Sequence, residues 1–307
     1  MAYPVAPGKV DIGSSTMNYI PVLYAGKLLV KYYDSTVLSV VTNTDYEGMI
    51  KKMGDTVYIR ERPDMTIRNY VKGQTLVNEQ PEATQTTLLI DKGKYWSFVT
   101  EDLDKVQTDI KNFIEEWTTD AAEQLKISID TDVLGNVYAD AAAANQGNTA
   151  GRLSGDIVLG AAGTPFAADK TNILDKIVDC GTVLDEQNVP ETGRFMIISP
   201  WMAALIKKSD LKDASLSGDA TSIMRNGLLG MIDRFTLYNS NLLAGDVTNG
   251  VNCIFGTTDA ITFATQLTEN KVLDNPNGFG MLHRGLQVYG YKVVKPEAMG
   301  TLLASKA

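Results

Sequence analysis

The chain has 307 residues, enough for one elaborate domain or two to three linked subdomains. Hydrophobic residues make up 44% and charged residues 21%, ordinary globular values that exclude wholesale disorder. Lys and Arg number 28 against 37 Asp and Glu, a formal charge of −9, so the cationic excess with which a duplex-binding protein displaces counterions is missing overall and any contact with DNA is expected to be loose.

Residues 1–45 are extended in character, punctuated by Pro4, Pro7, Gly8, Gly13 and Pro21, with Ser14, Ser15 and Thr16 adding turn chemistry. They read as an arm with one short ordered stretch at Val22–Val30. Residues 46–104 predict a long antiparallel hairpin. Thr56–Ile59 opens it, and Leu88–Ile90 together with Tyr95–Val99 supply the return. Between them stand Arg60, Glu61, Arg62, Asp64, Arg68, Lys72, Glu79 and Glu82, with Pro63 and Pro81 as strand breakers, a middle that is highly charged and poor in core formers. A two-stranded ribbon of this length is marginal alone in water, so it is expected to lie on its own domain or on another molecule.

The clearest helix is expected over about 105–138, with Asp104 and Gln107 as a capping box. Ile110, Phe113, Ile114, Trp117, Ala121, Leu125, Ile129, Val133 and Val137 recur three or four apart and form one apolar stripe, with Trp117, Leu125 and Ile129 as its core anchors. A helix of this length reads as a beam across a flat domain, since most globular helices have about 10 to 14 residues. Residues 139–169 are rich in Ala, Gly and Asn and read as a connection with one apolar piece, Ile157–Leu159. A compact α/β lobe follows over 170–265. Ile173, Leu174, Ile177, Val178 and Leu184 mark a helix stopped near Pro190; Phe195–Ile198 is a buried strand; Pro200 starts a helix through Lys208; Phe235–Tyr238 and Val251–Phe255 are further strands. Residues 266–307 are strand-rich, with Leu286, Val288, Tyr289, Tyr291, Val293 and Val294 near-alternating.

Catalytic signatures are missing. No phosphate-binding Gly-x-x-x-x-Gly-Lys loop, no dinucleotide Gly-x-Gly-x-x-Gly and no Gly-x-Ser-x-Gly elbow occurs. The single histidine, His283, beside Arg284 in a strand, points to a structural or surface role. Cys180 and Cys253 sit among apolar residues and read as buried free thiols. Asp130 and Asp132, two apart on the long helix, project from different sides and make poor joint metal ligands, and Glu115–Glu116 reads as a solvated face. Neither a metal nor a cofactor is expected. No segment approaches the roughly 18 to 20 apolar residues of a membrane span, and no signal peptide or N-glycosylation sequon is present, which points to a protein made and used in a cytosol.

An arm, an overlong charged hairpin, a beam helix and a compact lobe make mechanical sense when neighbouring copies stabilise the first two. In this order of parts the sequence resembles the Hong Kong 97-type major capsid proteins of tailed phages, particularly the relatives of podophage coat proteins. Arg194–Pro200 with the helix after it, Gly227–Gly230 through Phe235–Asn241, and His283–Val293 carry the resemblance best. It implies an α+β fold with an N-terminal arm (1–45), an extended loop (46–104), a spine helix with its connection (105–169, part of a peripheral domain), an axial domain (170–265) and the remaining peripheral strands (266–307). It further implies a non-enzymatic shell subunit that forms hexamers and pentamers in an icosahedral virion capsid around double-stranded DNA and is assembled in the host cytoplasm. The charged hairpin residues would make the contacts between subunits. Implied partners are a separate scaffolding protein, a portal protein, a decoration protein in some members, and loosely held DNA, with no membrane. A separate scaffolding protein is expected because no long helical extension precedes the arm. Some members join a loop lysine to a peripheral asparagine covalently; Lys72, Asn275 and Asn277 are the residues that could stand there, and their positions do not match a diagnostic pattern. An encapsulin-type compartment shell, which shares the fold, and an α/β enzyme are the alternative readings.

Overall fold

A computed structural model describes residues 33–34, 36–45, 56–60, 62–63, 65–80, 85–101, 113–209, 230–276 and 278–307. The expected arm up to residue 32, the hairpin residues Glu61, Asp64 and Glu82, the helix start with its Asp104–Gln107 box, the Gly227–Leu229 stretch and Asn277 lie outside these residues.

The lobe is built on a seven-stranded mixed sheet, and its local structure follows its sequence closely. Strand β5 (Arg194–Ile198) is buried at all five positions, as a continuous apolar run must be when both faces of a sheet are covered. It pairs in parallel with β7 (Phe235–Asn239) and antiparallel with β9 (Gly250–Thr257). The short strand β6 (Met231–Ile232) flanks β7, and β8 (Gly245–Asp246) pairs with β9. Helix α3 (Ile173–Glu186) turns Ile173, Ile177, Cys180, Val183 and Leu184 into the core, positions three or four apart; Val178 is instead half exposed. Helix α4 (Pro200–Lys208) begins at Pro200, whose missing N–H costs nothing in a first turn, and buries Met202, Ala203 and Ile206.

The C-terminal strand β12 (Met299–Lys306) does not stay with the strands before it. It runs antiparallel to β9 and parallel to β4 (Phe166–Ala168), so the last strand of the chain sits inside the lobe's sheet. Gly300 permits this, because a side chain there would run into the Phe255 ring. The boundary drawn at 265/266 also falls within a single strand, β10 (Ile261–Asp274).

A second, three-stranded antiparallel sheet has the order β10–β11–β3, where β11 is Gly280–Val293 and β3 is Lys92–Glu101. The sequence placed Tyr95–Val99 in the hairpin return. The structure instead pairs Tyr95 with Leu286 and Val99 with Leu282, so β3 belongs to this sheet. Among the described residues the hairpin consists of β1 (Thr56–Arg60) and β2 (Gln85–Leu89), in the register Thr56↔Leu89 to Arg60↔Gln85.

Helix α2 (Phe113–Val137) has 25 described residues, about 37 Å of rise. Its C-terminal half enters the main core through Ile129, Val133, Leu134 and Val137. Its N-terminal half lies beside the three-stranded sheet, where Trp96 stacks on Phe98, Phe98 stacks on His283, and Trp117 meets Phe98 edge-on. Trp96 covers Gly285 directly opposite it, a position where any side chain would collide with the indole.

Candidate assembly surface

The hairpin is rooted in a small core of its own. Ile59, Leu88 and Ile90 are buried with Ala264 and Val288, and Val57, Leu286 and Val294 pack around them. Beyond that root no described residue from Met65 to Gln80 is shielded by the rest of the chain. The two arms are tied mainly by Glu79, which accepts bonds from the Thr66 hydroxyl (3.1 Å) and amide (3.4 Å) and lies 3.9 Å from the Arg68 guanidinium. At the tip, Gln74 N–H donates to the Val71 carbonyl across a turn in which Gly73 takes φ +88.

What the sequence reading missed is the apolar content of this loop. Met65, Ile67, Tyr70, Val71, Leu76 and Val77 are all exposed, Ile67 to 92%. Met65, Ile67, Tyr70, Leu76 and Val77 line an open cleft of about 320 Å³ between the arms. These side chains stand among charges with no period of 2 or 3.6, so pattern reading registered the charges alone. Large apolar side chains gathered on extended backbone and rimmed with charge are uncommon on a chain's free surface.

Of the charged residues singled out from sequence, Arg60 and Arg62 are exposed, Arg68 pairs with Glu79, and Lys72 stands exposed in the tip turn. Of the three helix anchors, Ile129 is buried and Leu125 packs partly against the main core, but Trp117 is 45% exposed. The reason is geometric. Between Ile114 and Ser128 no residue is buried: the Phe98 ring meets Trp117 edge-on, the Tyr33 hydroxyl donates to Asp120 (2.9 Å), and Leu125 only partly reaches the main core.

The two helix aspartates diverge as their spacing requires, and each binds a different part of the chain. Asp130, 4% exposed, accepts the Val37 (2.8 Å) and Leu38 (3.2 Å) amides at the start of the short helix α1 (Leu38–Val41). Burial raises its carboxyl above the usual range, with the two amide bonds pulling the other way. Asp132 accepts Lys92 Nζ (3.1 Å) and the Tyr289 hydroxyl (2.8 Å), and Lys92 also donates to the Tyr291 hydroxyl (2.7 Å). Burial opposes ionisation at Asp132, yet these donors hold it below the ordinary carboxylate value. One helix turn thus joins the arm's end to the three-stranded sheet. In the lobe, the fully buried Arg194 guanidinium donates to the carbonyls of Gly181, Val189 and Pro190 and to Asp185. These networks build the frame. Among the described residues no cluster of His, Cys, Asp and Glu could hold a metal ion, and no helix is long and apolar enough to cross a membrane.

A frame of this kind, with a mixed-sheet lobe, a long helix, a strand-paired flank and a projecting apolar loop, is that of a shell-building subunit. Residues 83–301 match the profile of the phage capsid protein family, and the chain belongs to that family. No curated protein sequence matches it. Among solved structures it is similar to one from Mycobacterium phage Che8, with 26% identity and a TM-score of 0.77, covering 92% of this chain and 97% of that one. The capsid of cyanophage P-SCSP1u (13% identity, TM-score 0.71, 99% of each chain) shares the fold. So does the mature capsid of bacteriophage PhiM1 (12%, TM-score 0.71, 99% of this chain and 100% of that one). The architecture is the α+β Hong Kong 97-type fold that the sequence resemblance implied, and the chain is a capsid protein of the tailed-phage type.

Proposed function

We propose that this chain self-assembles, as hexamers and pentamers, into the icosahedral head of a tailed phage and encloses its double-stranded DNA. The observation that carries the reading is the 65–80 loop, whose large apolar side chains gain nothing within the chain. Ordering such a loop costs about 1–2 kcal/mol per residue in backbone entropy, which contacts with a neighbouring copy would offset. Charged side chains at Arg60, Arg62, Arg68, Lys72 and Glu79, with Glu61, Asp64 and Glu82, would set the register of those contacts. Exposed ion pairs of this type each contribute only about 0–1 kcal/mol, but a shell repeats them many times. In this reading the lobe acts as the axial domain around capsomer centres and the three-stranded sheet, with α2, as the peripheral domain. Its partners are other copies, a separate scaffolding protein, the portal protein and, in some heads, a decoration protein. Contact with packaged DNA is loose, as the charge of −9 requires. Assembly takes place in the host cytoplasm, and the chain supplies no catalytic step.

The test is removal of residues 62–82 with a short Gly-Ser bridge, followed by negative-stain microscopy and melting of the unassembled protein. The expected result is a folded chain that no longer closes into shells. Normal particles from the shortened chain would refute the reading.

A further inference from the structure

The loop 150–157 is built for rigidity and holds an apolar side chain outward. Ala150 and Ile157 exchange both backbone bonds (2.9 and 3.1 Å), and the Gly151 amide donates to the Ala144 carbonyl (2.8 Å). Within that closure the backbone curls around the carboxylate of Glu186, the last residue of α3. Glu186 Oε2 accepts the Leu153 amide (2.7 Å) and the Ser154 amide (3.2 Å), and the backbone at Arg152 and the Ser154 side chain add to the same nest. Gly151 (φ +101) and Gly155 (φ +64) supply the left-handed conformations that the curl needs, and a side chain at Gly151 would meet Ser154 and Glu186. At the tip Leu153 is 82% exposed, with Arg152 exposed beside it. A lone exposed leucine on a loose loop calls for no explanation. Here the chain fixes the backbone that presents it, so little further order is lost when a partner covers it.

We infer that Arg152 and Leu153 form a preorganised knob that docks on a second copy of this chain, on the outward strip of α3. That strip offers the complementary chemistry: Val178 is 49% exposed, and exposed Asp175 and Thr182 lie one turn to either side of it. Leucine would meet valine while Arg152 faces Asp175, so both the apolar and the charged half of the knob find their complement on the same strip of a second copy. This contact is distinct from the 65–80 loop, and it rests on the shell reading above.

The test places the photo-crosslinking residue p-benzoylphenylalanine at Leu153 in the full chain, isolates particles on a gradient and irradiates them. The expected product has twice the subunit mass, with the crosslink in the peptide carrying Val178. In parallel, Leu153→Asp should leave the melting of the unassembled chain unchanged and cut particle yield about tenfold; charge exchange through Arg152→Glu with Asp175→Lys should assemble better than Arg152→Glu alone. Parent particles with no adduct, an adduct elsewhere or to another protein, or full assembly of Leu153→Asp would overturn the knob while leaving the shell reading standing. A parent chain that forms no particles under assembly conditions would overturn both.

Discussion

Replacing Asp130 with alanine should free the arm's end from the long helix at a cost that the structure allows to be worked out. The carboxylate is 4% exposed and accepts the amides of Val37 and Leu38, themselves only 5% exposed, so its loss strands two shielded N–H groups. Each unsatisfied donor costs about 1–3 kcal/mol. Alanine returns roughly 0.5 kcal/mol of helix propensity, and removing a desolvated carboxylate returns some more. The net expectation is about 2 kcal/mol. That cost need not fall on global stability, because α1 can undock locally and hydrate its amides, taking Val37, Leu38 and Val41 out of the core. Hydrogen exchange separates the two routes. Amides of Val37 and Leu38 should exchange some tenfold or more faster in the variant, while those of β5 remain protected. Asp130→Asn adds a pH test. Burial raises the folded-state carboxyl above its unfolded value, so the folded state holds its proton more tightly, and acidification from neutrality toward the ordinary carboxylate range favours folding at this residue. The stability gap between parent and Asp130→Asn should therefore widen in favour of the parent as pH falls through that window. Unchanged exchange at Val37 and Leu38 in Asp130→Ala, together with a stability loss below about 0.5 kcal/mol, would refute the role assigned to this carboxylate.

Arg194→Ala should cost about 3 kcal/mol or more and yield insoluble protein, because it leaves the Gly181, Val189 and Pro190 carbonyls without their buried donor; full solubility and parental urea denaturation would contradict this. Its partner Asp185 is held below the ordinary carboxylate range by Arg194 and Arg234 against the pull of burial, so its share of stability is present above that range and fades as pH falls through the depressed value. Gly285→Ala should destabilise by about 1–3 kcal/mol through collision with Trp96, with a visible change in tryptophan fluorescence, and Trp96→Ala should relieve much of that penalty in the double variant. Both thiols should resist a thiol reagent at pH 8 until the chain unfolds, since Cys180 and Cys253 are fully buried and burial pushes Cys253 up to about 12; fast labelling of the folded protein would show that the lobe opens.

Elements whose signal is local could be read directly. Pro200 announced the start of α4, the unbroken apolar run Phe195–Ile198 announced a strand covered on both faces, and the two-residue spacing of Asp130 and Asp132 announced that they would diverge. The charged middle of the hairpin was legible as chain without core-forming periodicity, whereas the apolar root that seats Ile59, Leu88 and Ile90 against Ala264 and Val288 was not. Periodicity reports which side of an element is buried and says nothing of what buries it. Hence Tyr95–Val99 could be recognised as a strand, while its partner, about 190 residues further on, came only from the register with β11. The insertion of Met299–Lys306 beside β9 was likewise invisible to local pattern, and so were the chain segments that the two aspartates bind. The apolar stripe of α2 ran on evenly in the sequence past Trp117, but burial stops where the lobe ends, so the same pattern yields a core residue at Ile129 and a half-exposed ring twelve positions earlier. Whether an apolar side chain is covered is decided by which distant strands reach it, and that is a property of the folded chain alone.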